Sequence, residues 1–219
     1  MFVKDRMNPN PTCGYPEMAV TEAQELMVNN GVRHLPLVSE NNKLVGLITR
    51  TSLRSALPAD ISSFSRFEVS YTLSKIKVKS VMIKDLITIQ RDIPIEHAAR
   101  IMATERISCL PVVEGEILVG LISDTNLFMA MTSLLGARNE GLRITVQQPD
   151  RSGIIAGLTT AIAEEGGFLT VCVGYNPEQD PDQWVSICKV QNIKEDKLVG
   201  IVNNFKDTTL LDIRQFQEQ

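Results

Sequence analysis

The chain has 219 residues, of which 43% are hydrophobic and 22% are charged, a balance typical of a folded protein with a buried core. Its formal net charge of −4 argues against the basic surface on which nucleic-acid binding depends. The first residues carry no apolar leader, and no stretch approaches the ~20 apolar residues that span a bilayer. We therefore expect a cytoplasmic protein with neither a nucleic-acid nor a membrane partner.

The first part of the chain is a duplication. Residues 23–38 read AQELMVNNGVRHLPLV and residues 98–113 read AARIMATERISCLPVV, with matching positions 75 residues apart. The segment LVGLITRTSL matches LVGLISDTNL at a spacing of 74, so one turn is a residue shorter in the second copy. Met7 and Met82 share the spacing of 75. Such self-similarity indicates a repeated supersecondary unit.

Each copy predicts the same elements in the same order. Ala, Leu and Met at helical spacing predict a helix, and two apolar runs separated by a polar turn predict buried strands. A second helix is expected near Thr51 and near Thr125, and a short strand at 86–89. An apolar sheet face must be covered, so we expect the copies to pack on each other. Alternating lysines predict an additional strand with a solvated basic face before copy two: Lys75, Lys77 and Lys79.

A different pattern follows residue 132. An alternation of apolar and polar residues over 142–147 predicts a half-buried strand. The sequence DRSG then opens a helix that Gly166 and Gly167 close. The runs FLTVCVGY and QWVSICKV flank NPEQDPD as a hairpin, and a helix and the strand TTLLDIRQF end the chain. The predicted order is βαββαβ, which is ferredoxin-like.

These motifs resemble known families. One pattern recurs in tandem: a Met, a helix, x-LP-h-V, a turn and G-h-I-[TS]-x-x-[polar]-L. This pattern resembles the CBS domain pair or Bateman module. The segments RHLPLV, GLITRTSLRSA and LLGA resemble the acetoin-utilisation protein AcuB family, and the D-R-x-G turn behind a CBS pair resembles an ACT domain. The predicted fold class is α+β. CBS repeats are expected at 1–60 and 78–135, a linker at 61–77, and a ferredoxin-like ACT domain at 141–216.

The CBS resemblance implies an adenosine-containing regulatory ligand, such as AMP, ATP or S-adenosylmethionine, in the cleft between the copies, with no required cofactor. A hydroxyl and an Asp in G-h-h-T-x-x-D are expected to hold ribose and phosphate at a helix N-terminus, which favours anions. The hydroxyls here are Thr49 and Ser123, but Ser52 and Asn126 occupy the Asp positions. Both accept fewer hydrogen bonds than a carboxylate, so weakened binding is expected, at copy two in preference to copy one. Ordinary N-capping is the alternative.

Four charged or polar residues complete the predicted cleft. Arg50 is expected to meet a phosphate, whereas Asp124 at the matching position of copy two repels one. Arg33 and His34 are expected to line the cleft, although His34 as a satisfied polar edge residue is the alternative. The other histidine, His97, has no partner that would indicate a metal site.

The ACT resemblance implies that an amino acid contacts Asp150, Ser152 and Gly153. The alternative is that Ser152 caps the helix and Gly153 permits close packing. The predicted function is regulatory: ligands favour one arrangement of a homodimer and change an unidentified protein partner, and the AcuB resemblance implies a link to acetoin or acetate metabolism. A ligand-independent interaction or dimerisation module is the alternative, motivated by Ser52 and Asn126. The sequence contains no nucleophile, phosphate-loop or metal motif, so we do not expect an enzyme.

Overall fold

The two copies fold into the same four elements in the computed structural model, which describes residues 1–54, 71 and 73–216. Copy one consists of α1 (Val20–Asn29), β1 (His34–Val38), β2 (Leu44–Thr49) and α2 (Arg50–Arg54). Copy two consists of α3 (Ile95–Glu105), β3 (Cys109–Glu114), β4 (Ile117–Ser123) and α4 (Asp124–Leu134). β1 pairs with β2, and β3 with β4, in antiparallel two-stranded sheets. The predicted helix, strand, strand, helix order is confirmed, and α2 and α4 begin one residue earlier than predicted.

The strands predicted ahead of copy two do not form. Within 86–89, Ile89 pairs with Val112 through an isolated parallel bridge. The lysine segment contains a 3-10 helix, Val78–Ser80, so the prediction of a basic edge strand is wrong. The N–H of Val78 donates to the carbonyl of Met18 at 3.0 Å, and the side chain of Val78 is fully buried in the core of copy one. The alternation therefore reflects a buried valine between exposed lysines.

The segment that precedes each copy pairs with a strand of the other copy. Asn8 and Leu121 exchange backbone hydrogen bonds of 2.8 and 2.9 Å, which attach the leader of copy one to β4. Leu47 and Ile83 exchange bonds of 3.0 and 2.9 Å, which attach the leader of copy two to β2. The leader of each copy, meaning the segment that precedes it, therefore pairs with the other copy, and we call this exchange the crossing of the leaders.

The repeated methionines lie over the repeated strand glycines. A Cβ added to Gly120 would stand 2.6 Å from Met7 Sδ, and one added to Gly46 would stand 2.5 Å from Met82 Sδ. Glycine occupies both positions because the methionine sulfur occupies the space where a side chain would begin. The shared spacing of the methionines thus records the crossing of the leaders.

By its backbone contacts the chain divides into the units Met1–Phe128 and Met129–Gln219, with the boundary inside α4. The second unit contains β5 (Gly141–Pro149), α5 (Ile154–Glu164), β6 (Phe168–Tyr175), β7 (Gln183–Gln191), α6 (Glu195–Asn204) and β8 (Thr209–Phe216). The predicted βαββαβ order is confirmed, and the four antiparallel strands lie in the order β6-β7-β5-β8. Alternate residues of β5 pack against both helices in one core: Leu142, Ile144, Val146, Leu158, Ile162, Leu198 and Val202.

Candidate functional site

A reciprocal pair of side chains closes the N-terminus of α4. Asn126 Oδ1 accepts hydrogen bonds from the backbone N–H of Ser123 at 2.9 Å and from Ser123 Oγ at 2.7 Å. The N–H of Asn126 in turn donates to Ser123 Oγ at 3.5 Å. Two donors therefore already occupy the carbonyl oxygen of Asn126, which leaves its Nδ2 amide, a donor, as the group with hydrogen-bonding capacity to spare.

The matching pair in copy one is closed in the same way. Ser52 Oγ accepts from the N–H of Thr49 at 2.8 Å and donates to the Thr49 carbonyl at 3.0 Å. The N–H of Ser52 donates to Thr49 Oγ1 at 3.1 Å, and Ser52 is only 9% exposed. This is the N-capping arrangement that the sequence offered as an alternative to ligand binding.

A charged pair connects the two copies beside α4. Arg33 Nη2 donates to Asp124 Oδ1 at 2.6 Å and to Thr125 Oγ1 at 2.8 Å. Asp124 Oδ1 also accepts from the N–H of Thr125 at 2.6 Å. Partial burial acts to raise the pKa of Asp124, but the Thr125 N–H and the Arg33 guanidinium outweigh it and hold that pKa below its ordinary value. Asp124 is therefore ionised at neutral pH and balances the charge of Arg33.

His34 is also placed between the copies. Its Nε2 lies 2.8 Å from Ser108 Oγ, and the residue is only 8% exposed. Burial lowers the pKa of His34, and the charge of Arg33 lowers it further, so the imidazole is neutral at pH 7. Arg50, at the exposed start of α2, is near enough for its charge to lower the same pKa.

These groups surround a cavity of about 250 Å³ at the N-terminus of α4. Four of the predicted cleft residues line it: Arg33, His34, Ser123 and Asn126. Asp124 is connected to the cavity through its ion pair with Arg33. Three predicted residues are not among those that line it: Thr49, Arg50 and Ser52. The cavity thus combines the motif of copy two with the start of β1 from copy one.

Sequence reasoning missed several residues that line the cavity. Asn8, Pro11 and Thr12 come from the segment before α1, which the bonds between Asn8 and Leu121 bring to β4. The repeated methionine spacing indicates that this segment belongs to the repeat. It does not indicate that the leaders are crossed, because that depends on how the copies pack.

The turn before α5 differs from the arrangement in which Ser152 caps the helix. Asp150 Oδ2 accepts from Asn176 Nδ2 at 2.8 Å. Gly153 is the N-cap residue with φ of +86°, and no side-chain hydrogen bond caps the helix. A Cβ on Gly153 would meet nothing within 4 Å. The expectation that Ser152 caps and Gly153 permits close packing is wrong: glycine is favoured here because the backbone is left-handed.

The described part of the chain contains no group of three or more His, Cys, Asp or Glu side chains placed to hold a metal ion. His97 lies on the exposed surface of α3, with Arg100 Nη2 3.4 Å from its ring nitrogens. Within the same residues, no helix is both long enough and apolar enough to cross a bilayer.

The repeated unit and the cavity between its copies define a tandem module. The family model of the CBS domain matches residues 3–59 and 78–133, just over half of the chain, and the chain therefore belongs to the CBS domain family. Both matched ranges fall on the duplication, so the first part of the chain is a CBS pair.

Solved structures similar to this chain include ligand-bound CBS pairs. The CBS pair of protein MJ0100, in complex with 5′-methylthioadenosine and S-adenosyl-L-methionine, is 25% identical, has a TM-score of 0.51 and covers 61% of this chain and 97% of its own. CBSX2 of Arabidopsis thaliana, in complex with AMP, is 27% identical, has a TM-score of 0.51 and covers 60% of this chain and 96% of its own. A Vibrio cholerae protein assigned to acetoin utilization (AcuB) is 26% identical, has a TM-score of 0.52 and covers 62% of this chain and 93% of its own.

Curated relatives share the same region. A protein named homoserine O-acetyltransferase, from Methanocorpusculum labreanum, is 33% identical over 127 residues, which are 57% of this chain and 23% of that protein. The chain spans about a quarter of the length of the curated relatives it matches. CBS pairs thus also occur within proteins that are named as enzymes.

Proposed function

We propose that the CBS pair is a regulatory module that binds an adenosine-containing ligand in the cavity at the N-terminus of α4. The observation that carries the proposal is the position of this cavity: it lies between the copies and is lined by the hydroxyl and amide of the copy-two motif, Ser123 and Asn126. AMP, 5′-methylthioadenosine and S-adenosylmethionine in the similar CBS pairs support the same ligand class.

The lining offers both kinds of contact that a nucleoside requires. Pro11, Val32 and Leu121 provide apolar surface for a base, while Thr12 and Thr125 add hydroxyls that can donate to or accept from ribose. In the proposal, copy two binds in preference to copy one because Ser52, at the corresponding position of copy one, is nearly buried and bonded to Thr49.

Calorimetric titration of the full chain with adenosine, AMP, ATP and S-adenosylmethionine tests the proposal. Asn126→Asp should tighten adenosine binding by about tenfold, since one oxygen keeps the bonds to Ser123 and the other adds a charged acceptor. Ser52→Asp is the matched control in copy one and should leave this affinity unchanged. Ligand at 100 Kd should also stabilise the native state by about 2.7 kcal/mol. If none of the four ligands binds or shifts the melting transition, the proposal is wrong.

For the second unit we propose a ferredoxin-like ACT domain that binds an amino acid at the turn Asp150–Gly153. The βαββαβ order and the strand order β6-β7-β5-β8 support it. The left-handed Gly153 leaves space where a side chain would stand, which a ligand backbone can approach. A screen of the amino acids by thermal shift should find a stabilising ligand, and Gly153→Val should abolish its effect while Gly200→Ala, on α6, retains it.

The proposed setting is a cytoplasmic homodimer that acts on a protein partner in acetoin or acetate metabolism, which the similarity to the Vibrio cholerae structure supports. A ligand-independent dimerisation module is the second candidate. It is favoured by the capping pairs at Ser52 and Asn126, whose oxygens are satisfied within the protein. The calorimetric titration with adenosine separates the two, because both candidates form a dimer but the second binds no ligand.

A further inference from the structure

The cavity at the N-terminus of α4 carries a charge that is already balanced. Among the described residues that line it, Arg33 alone is charged at neutral pH, since burial keeps His34 neutral. The guanidinium of Arg33 donates to the carboxylate of Asp124 at 2.6 Å. The side chains of this pair are 45% and 32% exposed, so the pair lies at the edge of the cavity, where a ligand substituent can reach it.

The backbone donors of α4 are occupied as well. A helix N-terminus binds phosphate because its first N–H groups have no partner within the helix. Here the N–H of Asp124 donates to the Ser108 carbonyl at 2.9 Å, and that of Thr125 donates to Asp124 Oδ1 at 2.6 Å. The N–H of Asn126 donates to Ser123 Oγ at 3.5 Å. The carboxylate of Asp124 thus takes the place at the helix end that a phosphate would take.

We infer that the Arg33–Asp124 pair makes this cavity select adenosine ligands that lack a 5′-phosphate, namely adenosine or an uncharged 5′-thioether of it. The inference rests on the proposed function of the cavity and specifies its ligand. A phosphate that approached Arg33 would either displace the carboxylate of Asp124 or lie beside it, and in both positions two negative charges would share one guanidinium. An uncharged 5′ substituent leaves the pair intact.

The size of the cavity agrees with this selection. Its volume of about 250 Å³ lies just below the range of roughly 300–1,000 Å³ that is typical of ligand pockets. A nucleoside is closer to that size than a nucleoside triphosphate. The charge argument excludes the monophosphate as well, which size alone does not.

Titration of the full chain with adenosine and AMP tests the inference. The native chain should bind adenosine at least about tenfold more tightly than AMP. Asp124→Asn keeps an oxygen for the N–H of Thr125 but removes the negative charge that balances Arg33, so AMP binding should tighten by about tenfold while adenosine binding changes by less than about threefold. Adding Arg33→Gln should remove the gain for AMP. Glu116→Gln is the matched control because it removes the same charge from an exposed ion pair with Lys43, and it should change neither affinity.

The outcomes separate this inference from the function on which it rests. Tighter AMP binding that requires both the loss of the Asp124 charge and the presence of Arg33 supports it. Equal or tighter binding of AMP by the native chain overturns the inference and leaves the adenosine-binding function standing. An unchanged preference in Asp124→Asn also overturns it. Absence of binding by both compounds overturns both.

Discussion

Gly120→Ala tests the crossing of the leaders on which the cavity depends. The new Cβ would stand 2.6 Å from Met7 Sδ and 3.1 Å from the carbonyl oxygen of Asn8. The backbone of Asn8 cannot retreat without breaking its two bonds to Leu121, so the side chain of Met7 must move. Overpacking of this kind costs about 1–3 kcal/mol of folding free energy.

The assay is unfolding of the full chain, by heat in a calorimeter and by urea. In a chain of this size, each kcal/mol lowers the melting temperature by roughly 2–4 °C, so a fall of several degrees is expected. Met7→Ala in the Gly120→Ala background should recover part of the loss, because the two substitutions relieve one contact and should couple by about 1 kcal/mol. Gly46→Ala should be relieved in the same way by Met82→Ala.

Adenosine affinity provides an independent measure of the same contact. Asn8 and Thr12 line the cavity, so displacement of the leader by Gly120→Ala should also weaken adenosine binding. The reasoning is refuted if Gly120→Ala is as stable as the native chain. It is also refuted if the loss is strictly additive with that of Met7→Ala, since Met7 would then not lie over β4.

Two further predictions concern pH and glycine. The lowered pKa of His34 means that the unfolded chain takes up a proton at higher pH than the folded chain, so the first unit should lose stability as pH falls through about 6.5. His34→Gln should flatten this dependence in urea titrations between about pH 7.5 and 5.5. Gly153→Ala should destabilise the second unit by about 1 kcal/mol because Gly153 has a positive φ. Gly200→Ala, whose Cβ would meet open space within α6, should stabilise the unit by about 0.5–1 kcal/mol. Calorimetry that found the same sign for both variants would contradict this prediction.

The local elements could be predicted because their signals are local. Helical spacing around Ala23 and Ala98, and the apolar runs after them, predict α1, α3 and the strand pairs that the structure contains. The alternation of lysines misled for the same reason. The three lysines lie in different local structures, since only Lys79 belongs to the 3-10 helix, and the burial of Val78 against copy one depends on tertiary packing that a short alternation does not reveal.

The composition of the cavity could be predicted only in part because it depends on long-range packing. The motif positions Ser123 and Asn126, and the adjacent Arg33, are evident from the sequence. The pairing of Arg33 with Asp124 is not evident from the sequence, since 91 positions separate the two residues. Taken alone, the arginine suggests attraction of a phosphate and the aspartate suggests repulsion. At the turn before α5, the pattern Ser-Gly is compatible with a serine cap, and the positive φ of Gly153 shows that glycine itself occupies the cap position.

The crossed leaders also determine when each sheet of the pair can be completed during synthesis. β2 is made early, but its neighbour at Leu47 is Ile83, which the ribosome adds only after the whole of copy one. Asn8 must likewise wait for Leu121. Contacts so distant in sequence slow folding and leave strand edges exposed on the nascent chain. Neither repeat is therefore a finished folding unit by itself, and a chain cut between the copies would leave each sheet without its neighbouring segment.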